Sequence, residues 1–257
     1  MASGKQSRRR RHAQAPPPVR GPGRGRRASP KVLVGAALAL ILVAAVVAAA
    51  LALTGKSSAP SSRGEQLSDV AAVHRLFAGI PQRGNVLGRP SAPVTLVEYV
   101  DLQCPFCQAF ETDVLPNLVP RYVRTGEVKI VLRPIAFIGP DSERGRLAAL
   151  AAARQNRLFD FSELLYFNQG AENSGWLDDA MIRRAATSIR GLDVGTLLGE
   201  RKSASVRSQA VTYDSQAQVD GVKATPTILA GRTGGALKQV GNDLGAITAA
   251  IRSARRR

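Results

Sequence analysis

The stretch Asp101–Phe110, DLQCPFCQAF, contains both cysteines of a chain of 257 residues. Two residues separate Cys104 from Cys107, so a helix that begins here places the two thiols one turn apart. The preceding segment, Val94–Val100 (VTLVEYV), is a β-branched and apolar run that predicts a strand, and the following segment has apolar residues at helical spacing. The pattern therefore predicts a thiol pair at the junction of a strand and a helix.

The rest of the chain supplies further elements on both sides of a long helical block. We expect a second strand over Val128–Phe137, mostly helix from about 141 to 210, two strands in GVKATPTILAG and ALKQVG, and a closing helix over Leu244–Ile251. This order predicts an α/β fold in which a helical block separates the second and third strands.

A purely apolar segment precedes the predicted domain. Val32–Leu53 has 22 residues without a charge, which as a helix would measure about 33 Å and cross a bilayer core of about 30 Å. Ten basic residues and no acid lie in residues 1–31, whereas only Lys56 and Arg63 follow closely. This bias predicts a single transmembrane helix with a cytoplasmic N-terminus and an extracytoplasmic domain. The alternative is a cleavable signal peptide ending near Ala50–Ala52.

The predicted organisation has four parts. A basic arm (1–31) and the membrane helix (32–53) precede a polar linker with a short helix (54–78) and the main domain (79–257). The short helix is expected to place Leu67, Val70, Ala71, His74 and Phe77 on one face, with His74 as a partly buried structural residue.

The net charge of the chain does not indicate a nucleic-acid partner. There are 36 Lys and Arg against 19 Asp and Glu, a formal charge of +17, but Val94–Ile251 contains 17 basic and 17 acidic residues. The excess therefore lies in the arm and at the C-terminus. No aromatic residue is interleaved with the arginines of the arm, so we expect a membrane and no nucleic acid as its partner.

Three quoted stretches resemble a known family: GRPSAPVTLVEYVDLQCPFC, ELLYFNQGAENSGWL and GVKATPTILAG. They are similar to the DsbA-like thiol:disulfide oxidoreductases of bacteria that carry one N-terminal anchor, and the resemblance covers roughly Gly79–Ile251. It implies a thioredoxin-like fold with a helical insertion and no bound cofactor.

The resemblance also implies roles for the two cysteines. Free N–H groups and the dipole at a helix N-terminus lower a thiol pKa from its ordinary value of about 8.5, which makes Cys104 the expected nucleophile. Cys107 would then resolve the mixed disulfide. Phe106 departs from the Cys-Pro-His-Cys of the strongly oxidising DsbA.

Glu98 and Pro226 match two further family positions. Glu98 lies six residues before Cys104, where the family has a buried acid that can relay the proton of the resolving cysteine. The alternative for Glu98 is a polar strand residue on a partly exposed face. Pro226, preceded by Thr225, matches the family's cis-proline, which offers backbone groups to an extended substrate.

Other functions for the cysteine pair have weaker support. Structural zinc takes four ligands, but His12 is expected across the membrane and His74 is the other histidine of the chain. A structural disulfide over a two-residue gap would constrain little of the unfolded chain. The pair is thus expected to be redox-active.

The expected reaction is the oxidation of reduced exported proteins, because disulfides persist outside the cytoplasm. The resemblance implies reoxidation by a quinone-linked membrane protein of the DsbB or vitamin K epoxide reductase kind. The alternatives are a thioredoxin-like reductase or isomerase, and a membrane-tethered client-binding module without turnover.

Overall fold

The computed structural model describes residues 67–256. The predicted arm and membrane helix, together with residues 54–66 of the linker, lie outside the described residues. Among the helices of residues 67–256, none combines the length and the apolar character needed to cross a bilayer.

A six-stranded sheet forms the centre of this domain, in the order β1-β2-β4-β3-β5-β6. Its strands are β1 (Gln82–Arg83), β2 (Val86–Leu87), β3 (Val94–Val100), β4 (Val128–Pro134), β5 (Thr227–Arg232) and β6 (Lys238–Val240). β3 and β4 are parallel, whereas β5 pairs with β3 in the antiparallel sense. In this register, Val97 lies between Val131 of β4 and Leu229 of β5.

Strand β3 confirms the strongest sequence pattern, since all seven of its residues are buried. β4 ends at Pro134, three residues before the predicted end at Phe137. The reason is local: the N–H groups of Phe137 and Ile138 bond to the Asp101 carboxylate instead of continuing the sheet. The end of β4 is thereby tied to the loop that carries the cysteines.

Helices cover the sheet and build the insertion. They are α1 (Val70–Phe77), α2 (Pro105–Ala109), α3 (Leu115–Leu118), α4 (Pro140–Arg154), α5 (Leu158–Phe167), α6 (Asp179–Thr187), α7 (Val194–Glu200), α8 (Ala204–Val219) and α9 (Leu244–Arg256). The helical block runs to Val219, beyond the predicted end near 210. α8 continues because Val206, Ala210, Tyr213 and Ala217 recur at helical spacing and are buried.

The helical stretch after the cysteines alternates between two geometries. Wide π-helical turns at Phe110–Val114 and Val119–Val123 follow α2 and α3 respectively. Pro116 and Pro120 lie within this stretch, and each lacks an N–H and needs room for its ring beside the preceding turn. Widened turns relieve that crowding, so the helix continues through both prolines.

Two features of the N-terminal part differ from the sequence expectations. Residues 78–93, between α1 and β3, contain the hairpin β1–β2, which was not predicted because its two-residue strands are too short to give a periodic signal. In α1, Val73 is buried and Ala71 is exposed, so the inner face is rotated slightly from the predicted one. His74 is partly buried as expected, with its Nε2 3.1 Å from the carbonyl oxygen of Ser188.

Candidate active site

The two cysteines lie where β3 leads into α2. Cys104 is the N-cap residue of α2, with an extended backbone (φ −72°, ψ 121°), and Pro105 occupies the first turn. Proline is suited to this position because its missing N–H would have no helical partner. Cys104 is 4% exposed and Cys107 is fully buried, and both are free thiols in this structure.

The surroundings shift the two thiol pKa values in opposite directions. A hydrogen bond from Cys107 lowers the pKa of Cys104 to about 6, with help from Thr225 and from the N–H groups of Cys107 and Phe106, while burial opposes the shift. Burial raises the pKa of Cys107 well above its ordinary value, and the hydrogen bond to Cys104 adds to that shift. Cys104 is therefore mostly a thiolate at neutral pH, and Cys107 remains a thiol.

The predicted proline lies against this pair. The Thr225–Pro226 peptide is cis, and the protonated Sγ of Cys104 donates to the carbonyl oxygen of Thr225 at 3.3 Å. Thr227, the first residue of β5, secures the loop by donating from its Oγ1 to the carbonyl of Ala224 at 2.7 Å. The loop thus brings backbone polar groups to the edge of the thiol site.

Glu98 is fully buried on β3, and neither of its carboxyl oxygens has a hydrogen-bond partner among residues 67–256. The alternative interpretation, a polar residue on a partly exposed face, is therefore wrong. Burial, followed by the charge of Glu111, raises the pKa of Glu98 well above its usual range. This environment disfavours the ionised form of the carboxyl.

Two further buried acids were missed by the sequence reasoning. Burial raises the pKa values of Glu111, on the helix after the cysteines, and of Glu163, on α5, and their side chains share a hydrogen bond. Glu111 follows Cys107 by four residues, a helical spacing that could have placed both on one face. Glu163 lies within an apolar helix and gives no comparable signal.

Asp101 is a buried hub for the loop between β3 and α2. Its Oδ1 accepts bonds from the N–H of Gln103 (2.8 Å) and from the hydroxyl of Ser142 (2.7 Å). Its Oδ2 accepts the N–H groups of Phe137 (2.7 Å) and Ile138 (2.9 Å). One carboxylate therefore fixes the thiol loop, the end of β4 and the start of the insertion relative to each other.

Exposed aromatic side chains lie in two segments tied to this hub. Phe106, between the cysteines, is 72% exposed, and Phe137, on the loop held by Asp101, is 56% exposed. Both side chains add exposed apolar area to the segments that Asp101 holds together. No group of three or more metal-ligating side chains is assembled in residues 67–256.

A dithiol at a helix N-terminus, after a buried strand and against a cis-proline loop, defines a thioredoxin-fold protein with a redox-active site. A family model described as thioredoxin matches residues 82–238. The chain belongs to this family.

Similar proteins assign the chain to a narrower class within the thioredoxin family. Disulfide bond formation protein D of Bacillus subtilis is 30% identical over 173 residues, which cover 65% of this chain and 75% of that protein. A probable disulfide bond formation protein D of Bacillus cereus is 28% identical over 158 residues, covering 60% and 72% respectively. The crystal structure of oxidised BdbD from Bacillus subtilis has a TM-score of 0.61 and 25% identity, and the match covers 69% of this chain and 98% of that one. The chain is a DsbA-like thiol:disulfide oxidoreductase, as the resemblance implied.

Proposed function

We propose that this protein oxidises pairs of cysteine thiols in exported proteins. Cys104, the nucleophile of the reduced dithiol, is the sulfur that forms the mixed disulfide with the client, and Cys107 is the partner that leaves during oxidation and resolves the adduct in the reverse direction. The observation that carries the proposal is the pair of opposite shifts: the pKa of Cys104 is lowered to about 6, while that of Cys107 is raised. A stabilised Cys104 thiolate favours the reduced enzyme, and a dithiol that is stable when reduced is a strong oxidant.

The reaction begins with the Cys104–Cys107 disulfide. A client thiolate attacks Sγ of Cys104, the disulfide breaks, and Cys107 leaves with the electron pair. A second client thiolate then attacks the client sulfur of the mixed disulfide and releases Cys104 as a thiolate. The client gains one disulfide, and the enzyme gains two electrons.

Glu98 supplies the proton that the departing Cys107 sulfur takes up in this reaction. The departing Cys107 sulfur is fully buried, and a buried thiolate without a positive partner is costly. Burial raises the pKa of Glu98 and so favours its protonated form, which can deliver a proton toward Cys107, directly or through one water. We assign Glu98 the role of a proton relay.

Thr225 and Pro226 bind the client backbone. The carbonyl of Thr225 lies 3.3 Å from Sγ of Cys104, so an extended client segment paired with this loop would present its own sulfur to Cys104. Phe106 and Phe137 would add apolar contacts at the rim of the site.

The cellular setting follows from the sequence. A membrane helix over residues 32–53, with ten basic residues before it, would hold residues 54–257 on the extracytoplasmic side. The reduced dithiol would then return its electrons to a quinone-linked membrane protein of the DsbB or vitamin K epoxide reductase kind. A reductase would instead need a supply of electrons from the cytoplasm.

Trapping of the mixed disulfide tests the proposed roles. Reduced, unfolded ribonuclease A is mixed with the oxidised protein, and we expect its thiols to be lost in pairs. Cys107→Ser, first activated on Cys104 as a mixed disulfide with a small aromatic thiol, should accumulate a covalent adduct with ribonuclease A. Cys104→Ser should form none. Adducts through Cys107 alone would contradict the assignment, and non-covalent binding without thiol loss in the wild type would indicate a binding module.

A further inference from the structure

A glutamine from the helical insertion holds the start of the active-site helix. Gln169 follows α5, and its side-chain amide donates to the carbonyl oxygens of Leu102 (2.9 Å) and Cys104 (3.3 Å). These carbonyls belong to the backbone immediately around the nucleophile. The insertion thus binds the main chain on which Cys104 is mounted.

A second glutamine, which belongs to the loop itself, forms further hydrogen bonds between this loop and the insertion. Gln103 is fully buried, and its amide nitrogen donates to Ser142 Oγ (3.0 Å) and Asn173 Oδ1 (3.2 Å). The N–H of Asn173 donates back to Gln103 Oε1 at 2.7 Å. A Cβ at Gly139 would lie 2.3 Å from Asn173 Oδ1, so the absence of a side chain there leaves room for this bond. Residues 168–175, the insertion loop, are therefore locked to residues 102–104.

The orientation of the peptide units around Cys104 decides how well its sulfur carries a negative charge. N–H groups directed at the sulfur stabilise the thiolate, whereas carbonyl oxygens directed at it have the opposite effect. The N–H groups of Phe106 and Cys107 act on the sulfur of Cys104. Gln169 donates to the carbonyls of Leu102 and Cys104 and so keeps both oxygens directed toward the insertion, the second together with the helical bond from the N–H of Gln108.

We propose that Gln169 is a positioning residue, supported by Gln103 and Asn173, through which the helical insertion sets the reactivity of Cys104. The inference rests on the proposed role of Cys104 as the nucleophile. In this role Gln169 affects the reactivity of the Cys104 sulfur through the backbone and does not need to contact the client.

The charged environment of Cys104 is left intact by a change at Gln169. Among residues 67–256, the titratable groups that act on Cys104 are Cys107 on α2 and Tyr166 on α5. The hydroxyl of Tyr166 donates to the carbonyl of Asp101 at 3.2 Å, and the bond between Tyr166 and Gln169 joins backbone atoms (3.3 Å), so a side-chain change at Gln169 keeps both. A shift in the titration of Cys104 in a Gln169 variant therefore reports the orientation of the peptide units.

The test compares two glutamine substitutions in the full-length protein in detergent. Gln169→Met keeps the length of the side chain and removes both bonds. Gln155→Met is the matched control, because Gln155 forms a similar clamp with the backbone of Asp193 (3.1 and 2.8 Å) at the far end of α4. Thiolate absorbance is followed against pH in the reduced proteins, together with the free energy of unfolding.

We expect Gln169→Met to raise the titration midpoint of Cys104 by about one pH unit, a tenfold change in its acid constant, and Gln155→Met to leave it unchanged. An unchanged midpoint in Gln169→Met, with only a loss of stability like that of the control, would overturn the inference. Asn173→Gly, which suits the positive φ of this residue (52°), removes the side-chain bond to Gln103 and should shift the midpoint in the same direction. If the wild-type Cys104 titrates as an ordinary thiol, the proposed function fails instead.

Discussion

The thiol of Cys107 donates a hydrogen bond to the sulfur of Cys104, which is the largest cause of the lowered pKa of Cys104 and adds to burial in raising the pKa of Cys107. The bond is possible because Cys104 caps α2 and Cys107 lies one turn later. Oxidation replaces it with a covalent bond, so the stabilisation is present in the reduced protein alone. The hydrogen bond therefore favours the reduced protein, which is the state that an oxidase reaches once it has oxidised its client.

Removal of the donor should make Cys104 less acidic. In the reduced wild type, thiolate absorbance should rise with a midpoint near pH 6. Cys107→Ala removes the largest cause of that shift, so we expect its midpoint to lie at least about one unit higher. Phe106→Ala is a suitable control because its side chain is exposed and makes no such bond. Equal midpoints in the wild type and Cys107→Ala would contradict this account.

The same shift predicts how the stability of the reduced protein depends on pH. The folded pKa of Cys104 is about 6 and its ordinary value is 9.0, so its contribution is lost as pH falls through 6 and is fully present above 9. The free energy of unfolding of the reduced protein, relative to the Cys104→Ala variant, should therefore rise between pH 6 and 9. Urea unfolding at fixed pH values measures it, and a flat difference across this window would refute the prediction.

Glu98→Gln should slow the reaction with little change in fold. The amide has the same shape but cannot release a proton, so we expect client oxidation at pH 7 to slow by about tenfold or more. Stopped-flow measurements of thiol loss in a dithiol peptide give the rate. Glu172→Gln, at an exposed position of the insertion loop, is the control. Equal rates in both variants would remove Glu98 from the mechanism.

Glu163 should make the folded protein less stable as pH rises. Burial raises its pKa well above 4.5, so the folded protein keeps a proton that the unfolded chain releases. The free energy of unfolding then falls with pH by up to about 1.4 kcal/mol per unit for one group. Glu163→Gln should therefore gain stability relative to the wild type between pH 5 and 8, measured by urea unfolding of the oxidised proteins. Parallel curves would show that Glu163 is ionised in the fold.

Asp101→Asn should destabilise the domain strongly. The substitution places an amide group among four donors, and unsatisfied buried donors cost about 1–3 kcal/mol each, so we expect a loss of about 2–4 kcal/mol in the free energy of unfolding. Asp193→Asn provides the comparison, because that carboxylate accepts the N–H of Thr196 at an exposed helix start. A loss no larger than in the control would show that Asp101 is not the hub of the loop.

The sequence predicted the features that depend on local pattern. A β-branched run leading into Cys104 and Pro105 specifies a strand and a helix start from neighbouring residues, and both were confirmed. The resemblance supplied the cis bond at Pro226, which local propensity alone would not have indicated. The resemblance also implied a buried acid at Glu98, and the structure buries this residue in the central strand of the sheet.

The residues that tune the site could not be predicted in the same way. The partners of Asp101 lie up to 41 residues away along the chain, and those of Gln103 and Gln169 about 70 and 65 residues away. Such contacts form only after the insertion has folded onto the sheet, so no periodicity of polar residues records them. The place of Glu111 could have been predicted in part, because its four-residue spacing from Cys107 is visible in the sequence, whereas no pattern indicates its partner Glu163.

The equilibrium redox potential of Cys104 and Cys107 against glutathione tests the central claim most directly. A thiolate stabilised only in the reduced protein should place the potential well above the value of about −270 mV for thioredoxin and toward the value of about −120 mV for DsbA. The fraction of reduced protein at each ratio of reduced to oxidised glutathione gives the potential. A potential near that of thioredoxin would contradict the account and identify the protein as a reductase.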